Sequence, residues 1–216
     1  VFNLEMGAEQ LANRIISSLG QIEGYKLRTG KMLNNDWKRF DQAVSRLSDA
    51  KLYIDDTPGI TIGEIRAKCR RLSSSPDGLD LVIIDYLQLI SGGKNYGANR
   101  QQEVADISRS LKTLAMELHI PVIALAQLSR SVEGREDKRP MLSDLRESGS
   151  IEQDADLVGF LYRDDYYNKE AKNDATSISE FIIAKHRNGP QATIQLLFKK
   201  DTSTFLNMSK NESEEE

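Results

Sequence analysis

The feature that most constrains the fold is the run LVIIDYLQLI at residues 81–90, in which apolar side chains lead directly into Asp85. A short, continuously apolar run is typical of a strand buried on both faces of a parallel sheet. Ligands of open α/β sheets bind beyond the carboxyl ends of the strands, so a carboxylate there predicts a Mg²⁺ site beside a nucleotide. Asp85 could equally end a strand and cap the next turn, and this run alone leaves both interpretations open.

The spacing of apolar residues predicts alternating strands and helices. We expect four helices. The first ends at about Gly20, the second has Asn35 as its N-cap, the third begins at Thr61 with a capping box to Glu64, and the fourth spans 99–118. The expected strands lie at 1–4, 52–54, around Asp85, at 121–127 and at 157–162, followed by a hairpin at 181–198. This order predicts an α/β fold with a mostly parallel sheet, helices on both faces and an antiparallel C-terminal edge.

The composition fits one domain with a short tail. A chain of 216 residues suffices for a single α/β domain, expected at 1–208, and the acidic residues of 209–216 predict a disordered tail. The net charge is only −4, so any nucleic-acid site has to be a local basic loop. The single cysteine, Cys69, cannot form an internal disulfide and is expected to be a buried structural residue in a reducing cytoplasm. The sequence shows neither a signal peptide nor a long apolar run, so we expect no membrane partner.

Three predicted strands end in polar residues: Glu5, Asp85 and Gln127. In a parallel sheet these side chains would face one crevice at the carboxyl edge. Phosphoryl transfer to water needs a metal holder, a group that activates the water and a sensor of the terminal phosphate. Asp85 would hold Mg²⁺, Glu5 would activate the water and Gln127 would sense the phosphate. Taken singly, each is more often a strand-end residue that faces water.

The usual phosphate-binding motif, GxxxxGK[ST], does not occur in these 216 residues. Two glycine-lysine segments, at 24–31 and 92–94, have the wrong spacing or the wrong following residue. The turn Asp56-Thr57-Pro58-Gly59 resembles a GTPase switch loop, but no NKxD motif follows it, so we interpret it as a turn. Because Val1 opens a strand already in progress, we expect this chain to be a fragment that does not hydrolyse ATP alone.

Two cationic segments are candidates for contact with phosphates. The loop Arg146, Glu147, Ser148 and Gly149 could offer backbone N–H groups and a cation to a nucleic-acid backbone, or could simply be an N-cap turn. Lys185 and Arg187 flank His186 before an Asn-Gly turn. They could protect an edge strand against pairing, or act in trans on a nucleotide held by a neighbouring subunit.

Several long motifs together resemble one family. These are FNLEMGAEQL, LVIIDYLQLI, NRQQEVADISRSLK, PVIALAQLSR, DKRPMLSDLRESGSIEQDADLVGFLYRDDYY and AKHRNGP, in that order. They are similar to the C-terminal motor domain of DnaB-type replicative DNA helicases, and the likeness runs from residue 1 to about Phe198. His186 departs from the pattern, since glutamine is expected there in many relatives, and the Walker A segment would precede Val1.

The resemblance implies a RecA-like ATPase that forms a homohexamer around single-stranded DNA. By matching position, Glu5 resembles the catalytic glutamate, Asp85 the Walker B aspartate that binds Mg²⁺, and Gln127 the phosphate-sensing glutamine. Lys185 and Arg187 resemble the pair offered to a neighbour's ATP, and Arg14 is similar in position to a nucleotide-contacting arginine. The loop of Arg146, Glu147, Ser148 and Gly149 corresponds to the loop that contacts DNA.

These expectations describe an ATP-dependent replicative helicase. It would work with a primase and a helicase loader in a bacterial or phage primosome, in the cytoplasm and associated with the nucleoid. Two alternatives stay open on the sequence: a RecA-family recombinase-type ATPase, and a non-catalytic RecA-like module for assembly or DNA binding.

Overall fold

A computed structural model of the chain describes residues 1–93, 99–167 and 175–208. The predicted acidic tail therefore lies outside the described residues. The chain divides into two compact units, one of Val1–Ala12 with Ser48–Asp156 and one of Asn13–Leu47 with Leu157–Glu216. The helices are α1 (Ala8–Gly20), α2 (Gly24–Thr29), α3 (Asn34–Asp49), α4 (Ile62–Ser73), α5 (Arg100–Leu118), α6 (Gly149–Asp154) and α7 (Asp164–Tyr167). The strands are β1 (Phe2–Asn3), β2 (Val82–Asp85), β3 (Val122–Ala124), β4 (Leu157–Arg163), β5 (Thr176–His186), β6 (Ala192–Lys199) and β7 (Thr204–Asn207).

The first unit contains a parallel sheet in the order β1-β2-β3. Val82 and Ile84 of the central strand point to one face and are almost fully buried, whereas Ile83 on the other face is partly buried. The burial expected for a parallel strand is therefore nearly complete on one face and partial on the other. The observed strands are shorter than predicted, and β3 ends at Ala124, three residues before Gln127. The strand predicted at 52–54 is wrong. Instead, Asp55 makes an isolated parallel bridge to Phe2.

The core of this unit lies among the sheet, α4 and α5. Its buried side chains are those of Phe2, Ile60, Ile65, Cys69, Val82, Ile84, Leu87, Ile90, Val104, Ile107, Leu111 and Leu114. Cys69 is 3% exposed, and burial raises the pKa of its thiol to about 11. The interpretation of Cys69 as a structural residue is therefore confirmed.

Local capping explains where several helices begin. The predicted capping box is present, since the Thr61 hydroxyl accepts from the Glu64 N–H at 3.2 Å and the Glu64 carboxylate accepts from the Thr61 N–H at 2.8 Å. Asn35, in contrast, is not the N-cap of α3, because that helix begins at Asn34. The buried carboxylate of Asp36 takes over part of this function and accepts from the Leu33 N–H at 3.1 Å. None of the helices in the described ranges has the length and apolar character needed to cross a membrane.

The second unit contains the antiparallel strands, which form a sheet of their own in the order β4-β5-β6-β7. The predicted hairpin is present as β5 and β6, whereas β7 was not predicted. The register between β4 and β5 shifts between Val158 and Gly159. At Gly159 the Phe181 ring lies so near the backbone that an added Cβ atom would be 2.5 Å from it.

The buried carboxylate of Asp165, just after β4, links the end of β4 to the end of β6. Asp165 forms ion pairs with Lys200 at 2.8 Å and with Arg163 at 3.2 Å. The Arg163 guanidinium also lies 4.4 Å from the centre of the Phe198 ring. Burial opposes ionisation of Asp165, but the hydrogen bond from Lys200 and the charges of both cations outweigh it and lower the pKa.

Candidate functional site

The ends of β1 and β2 bring Glu5 and Asp85 to neighbouring places at one edge of the parallel sheet. Asn3 is the register partner of Asp85, and the Leu4 N–H donates to the Asp85 carbonyl at 2.6 Å. Glu5 follows directly and is exposed, whereas Asp85 is half-buried. The parallel register thus brings the backbone before Glu5 next to Asp85, and the convergence of the two carboxylates stays a prediction.

The turn from β1 to α1 is fixed by side chains on both sides of Glu5. The buried amide of Asn3 donates to the Met6 carbonyl at 2.7 Å. At the start of α1, the Asp56 carboxylate accepts from the Ala8 N–H at 2.8 Å. Asp56 belongs to the turn whose GTPase interpretation the sequence excluded, and its structural function is to cap this helix.

Asp85 has the chemistry that a Mg²⁺ ion requires. Mg²⁺ prefers oxygen ligands, keeps several of its own waters and is usually bound through one or two carboxylates and the substrate phosphates. Among the described residues no group of three or more His, Cys, Asp or Glu side chains could enclose a metal. A single half-buried carboxylate at the sheet edge fits an ion that is shared with a nucleotide better than one held by protein ligands alone.

Gln127 reaches the same sheet edge through backbone contacts beyond β3. The Leu125 N–H donates to the Ile84 carbonyl and the Leu87 N–H donates to the Leu125 carbonyl, each at 2.9 Å. The Gln88 side chain then makes two bonds to the Gln127 backbone, donating to its carbonyl at 3.1 Å and accepting from its N–H at 3.2 Å. The side chain of Gln127 itself is exposed.

Gln88 is a site residue that the sequence reasoning missed. Its carbonyl accepts a hydrogen bond from Arg100, the first residue of α5, and Arg100 is also paired with Glu103. The available signal was a lone amide inside the otherwise apolar run after Asp85. That signal is weak, because nothing in the run indicates that this amide bonds to a segment 39 residues away.

The predicted DNA-contacting loop begins in a 3₁₀ helix, Leu142–Ser148, which contains Arg146, Glu147 and Ser148, and ends at Gly149, the first residue of α6. Asp144 lies in the same 3₁₀ helix, two residues before Arg146. Its buried carboxylate accepts hydrogen bonds from the Arg135 guanidinium at 2.7 and 3.2 Å and from the Met141 N–H at 2.8 Å. The Ser129 N–H donates to the Asp144 carbonyl at 3.0 Å. The segment after Gln127 and the segment before Arg146 are therefore joined at Asp144.

The remaining predicted cations belong to the second unit. Arg14 is an exposed residue of α1, and Lys185 lies in β5 opposite Val158 of β4. Arg187 follows the last residue of β5 and is exposed at the hairpin turn. The edge-strand interpretation is wrong, because β5 is an interior strand that pairs with both β4 and β6. The in-trans interpretation needs only cations near the end of a strand, and it stays a prediction.

Comparison with known proteins gives a consistent assignment. A family model described as the DnaB-like helicase C terminal domain matches residues 1–207. The replicative DNA helicase DnaB of Geobacillus stearothermophilus is 58% identical over 210 residues, which cover 97% of this chain and 46% of that protein. The replicative DNA helicase DnaC of Bacillus subtilis (strain 168) is 57% identical with the same coverage. The chain thus spans about half the length of the curated relatives it matches.

Solved structures agree with the sequence relatives. One of them, described as an ATPase domain, superposes with a TM-score of 0.89 at 44% identity, covering 96% of this chain and 73% of that one. A DnaB-like replicative helicase, solved in work on its interactions with primase, gives the same TM-score and identity and covers 96% of this chain and 51% of that one. These neighbours support the α/β fold of a RecA-like ATPase that the sequence predicted. By its match to the family model over nearly its whole length, the chain belongs to the DnaB-like helicase C-terminal domain family.

Proposed function

We propose that this chain is the ATP-hydrolysing motor domain of a replicative DNA helicase that moves along single-stranded DNA as a homohexameric ring. The observation that carries the proposal is the pairing of β1 with β2, which sets Glu5 one residue beyond the Leu4–Asp85 hydrogen bond at the carboxyl edge of a parallel sheet. A ligand that binds at this edge meets both carboxylates. The function belongs to a full-length protein, by which we mean one of the relatives' length that carries this chain as its C-terminal part.

Each residue at this edge has a distinct function in the proposed reaction. Asp85 would help to hold Mg²⁺, which when bound neutralises charge on the phosphates of ATP. Glu5 orients the attacking water and accepts its proton, and its exposure leaves it accessible to solvent water. Gln127 donates a hydrogen bond to the terminal phosphate, and Gln88 holds its backbone in place for this contact.

The site is completed by cations from a neighbouring subunit. Arg187 and Lys185 stand at a strand end, where their side chains can be presented to the nucleotide of the next subunit. Arg14 contributes a further nucleotide contact. Hydrolysis then depends on the ring, because no subunit alone supplies both the water-activating carboxylate and the arginine finger to one ATP.

The DNA contact is made by the segment of Arg146, Glu147, Ser148 and Gly149. Backbone N–H groups and one cation position a phosphate backbone without reading its bases. Asp144 joins this segment to the residues after Gln127, so a shift at the phosphate sensor can be passed to the DNA.

We infer the partners and the location of the protein from its relatives. A solved relative is described with its interactions with primase, and we propose that a primase and a helicase loader also bind the full-length protein. Because the relatives from Geobacillus stearothermophilus and Bacillus subtilis are replicative helicases of bacteria, we place this protein in the cytoplasm with the nucleoid.

The first test is Mg²⁺-dependent ATP hydrolysis by the full-length protein, with and without single-stranded DNA. Glu5→Gln should lower kcat by about 10²- to 10⁴-fold, the range for loss of a general base. Glu9→Gln is the matched control, because Glu9 is an exposed carboxylate in the first turn of α1 and should leave kcat unchanged. If the full-length protein does not hydrolyse ATP under any of these conditions, the chain is a non-catalytic RecA-like module and the proposal is wrong.

A mixing experiment tests whether Arg187 acts in trans. Full-length Arg187→Ala and Glu5→Gln should each be inactive as pure rings. Rings assembled from both should regain activity, because some interfaces then combine an intact Glu5 with an intact Arg187 from the next subunit. Mixed rings that stay as inactive as the pure variants would refute the in-trans function.

Strand displacement by the unmodified protein separates a helicase from a recombinase-type ATPase.

A further inference from the structure

Asn3 is a buried polar residue in the last position of β1, two residues before Glu5. It is only 1% exposed, in a strand whose other residue, Phe2, belongs to the apolar core. Burial of an amide is unfavourable unless its donors and acceptors are bonded. A residue of this kind at the core therefore needs a physical explanation.

The side chain of Asn3 is only partly satisfied. Its Nδ2 donates to the Met6 carbonyl at 2.7 Å, while its Oδ1 is buried and has no hydrogen-bond partner among the described residues. An apolar residue would avoid the unpaired oxygen, so the bond to Met6 is the contact for which an amide is required here. That bond closes a turn in which Glu5 lies between its two ends.

Other contacts already hold the segments on either side of this turn. The backbone of Asn3 is fixed by its N–H bond to the Asp55 carbonyl at 2.9 Å and by its register with Asp85. The start of α1 is fixed by the Asp56 carboxylate and by the Gln10 N–H bond to the Gly7 carbonyl at 3.0 Å. The Asn3–Met6 bond is thus needed neither for the strand nor for the helix, and it acts on residues 4–6.

We propose that Asn3 is a positioning residue for Glu5: its amide, bonded to Met6, holds the turn that aims the Glu5 carboxylate at the attacking water. The inference rests on the proposed ATPase function. It assigns to Asn3 no contact with ATP, so its effect is on the catalytic step rather than on nucleotide binding.

The test compares Asn3→Ala with Asn3→Ser in the full-length protein. The two variants differ by one hydroxyl, which can donate to a nearby carbonyl as asparagine does, though more weakly. Asn3→Ala should lower kcat for ATP at least about tenfold, since a displacement of 1 Å can cost about 100-fold, with KM changed less than about twofold. Asn3→Ser should recover kcat to within about threefold of the unmodified protein. Equal kcat values for the two variants, or a rise in KM that accounts for the loss, would overturn the inference.

A double-mutant cycle shows whether the effect passes through Glu5. In a Glu5→Gln protein, Asn3→Ala should change the residual rate less than about twofold, because there is no longer a carboxylate to position. An undiminished tenfold effect in that background would mean that Asn3 acts independently of the Glu5 carboxylate, and the inference would fail. If Glu5→Gln itself leaves kcat unchanged, the proposed function fails instead, and the two failures are distinguishable.

Discussion

Replacing Asp144 by alanine should destabilise the first unit markedly. Its carboxylate is 4% exposed and accepts three hydrogen bonds, two from Arg135 and one from the Met141 N–H. A hydrogen bond to a charged group contributes about 1.5–3 kcal/mol. The Arg135 guanidinium is partly exposed and can regain water, so we count one Arg135 bond and the Met141 bond at the low end, about 3 kcal/mol.

The assay is thermal unfolding of the chain followed by circular dichroism. For a chain of this size, about 3 kcal/mol lowers the Tm by roughly 6–12 °C. Asp137→Ala is the matched control, since this carboxylate is exposed and its contacts are local: it accepts from the Arg139 N–H at 3.0 Å and meets the Arg139 guanidinium at 3.5 Å. This change should alter the Tm by less than about 2 °C. A Tm for Asp144→Ala within about 2 °C of the unmodified chain would refute the reasoning that this buried carboxylate joins the two segments.

Three further predictions follow from the contacts described. Burial raises the pKa of the Cys69 thiol to about 11. The thiol should therefore react with Ellman's reagent at pH 8 at least about tenfold more slowly in the folded chain than in urea. Equal rates in the two conditions would contradict the burial of Cys69. The pKa of Asp165 is lowered on folding, so its ionised form contributes stability above its unfolded pKa, and this contribution is lost as pH falls through the folded value. Asp165→Asn should therefore destabilise the chain at pH 7, and the difference in unfolding free energy should shrink below about pH 4, whereas a constant difference down to about pH 2 would exclude this origin. Arg146→Ala in the full-length protein should reduce the slope of log K against log salt for single-stranded DNA by about 0.7, as expected for one lost phosphate contact, and an unchanged slope would remove Arg146 from the DNA contact.

The sequence predicted those features whose cause is local. The apolar run before Asp85 indicates a buried parallel strand because it is short and rich in β-branched residues. The capping box of Thr61 and Glu64 is predicted because both partners lie within one helical turn. The position of the Leu4 backbone beside Asp85, one residue before Glu5, then follows from parallel pairing.

Features that depend on distant contacts were not predictable in the same way. Asn3, Gln88 and Asp144 look like ordinary polar residues in the sequence, and their contacts appear only when the fold supplies Met6, Gln127 and Arg135 as partners. The choice between Asn35 and Asp36 at the start of α3 depends on backbone geometry, since either side chain can accept from an N–H group. The segment at 52–54 has strand-like residues, but only Asp55 bridges β1.

The close approach of Phe181 to Gly159 has a consequence for how this family can diverge. A side chain at position 159 would occupy space that the ring of Phe181 fills, so the ring has to move or shrink before the glycine can be replaced. Each substitution alone is then disfavoured, while the pair is permitted. We expect aligned relatives to show covariation between these positions, with residues larger than glycine at 159 accompanied by residues smaller than phenylalanine at 181. Where relatives keep both Gly159 and Phe181, this packing explains the glycine without any function in catalysis or binding.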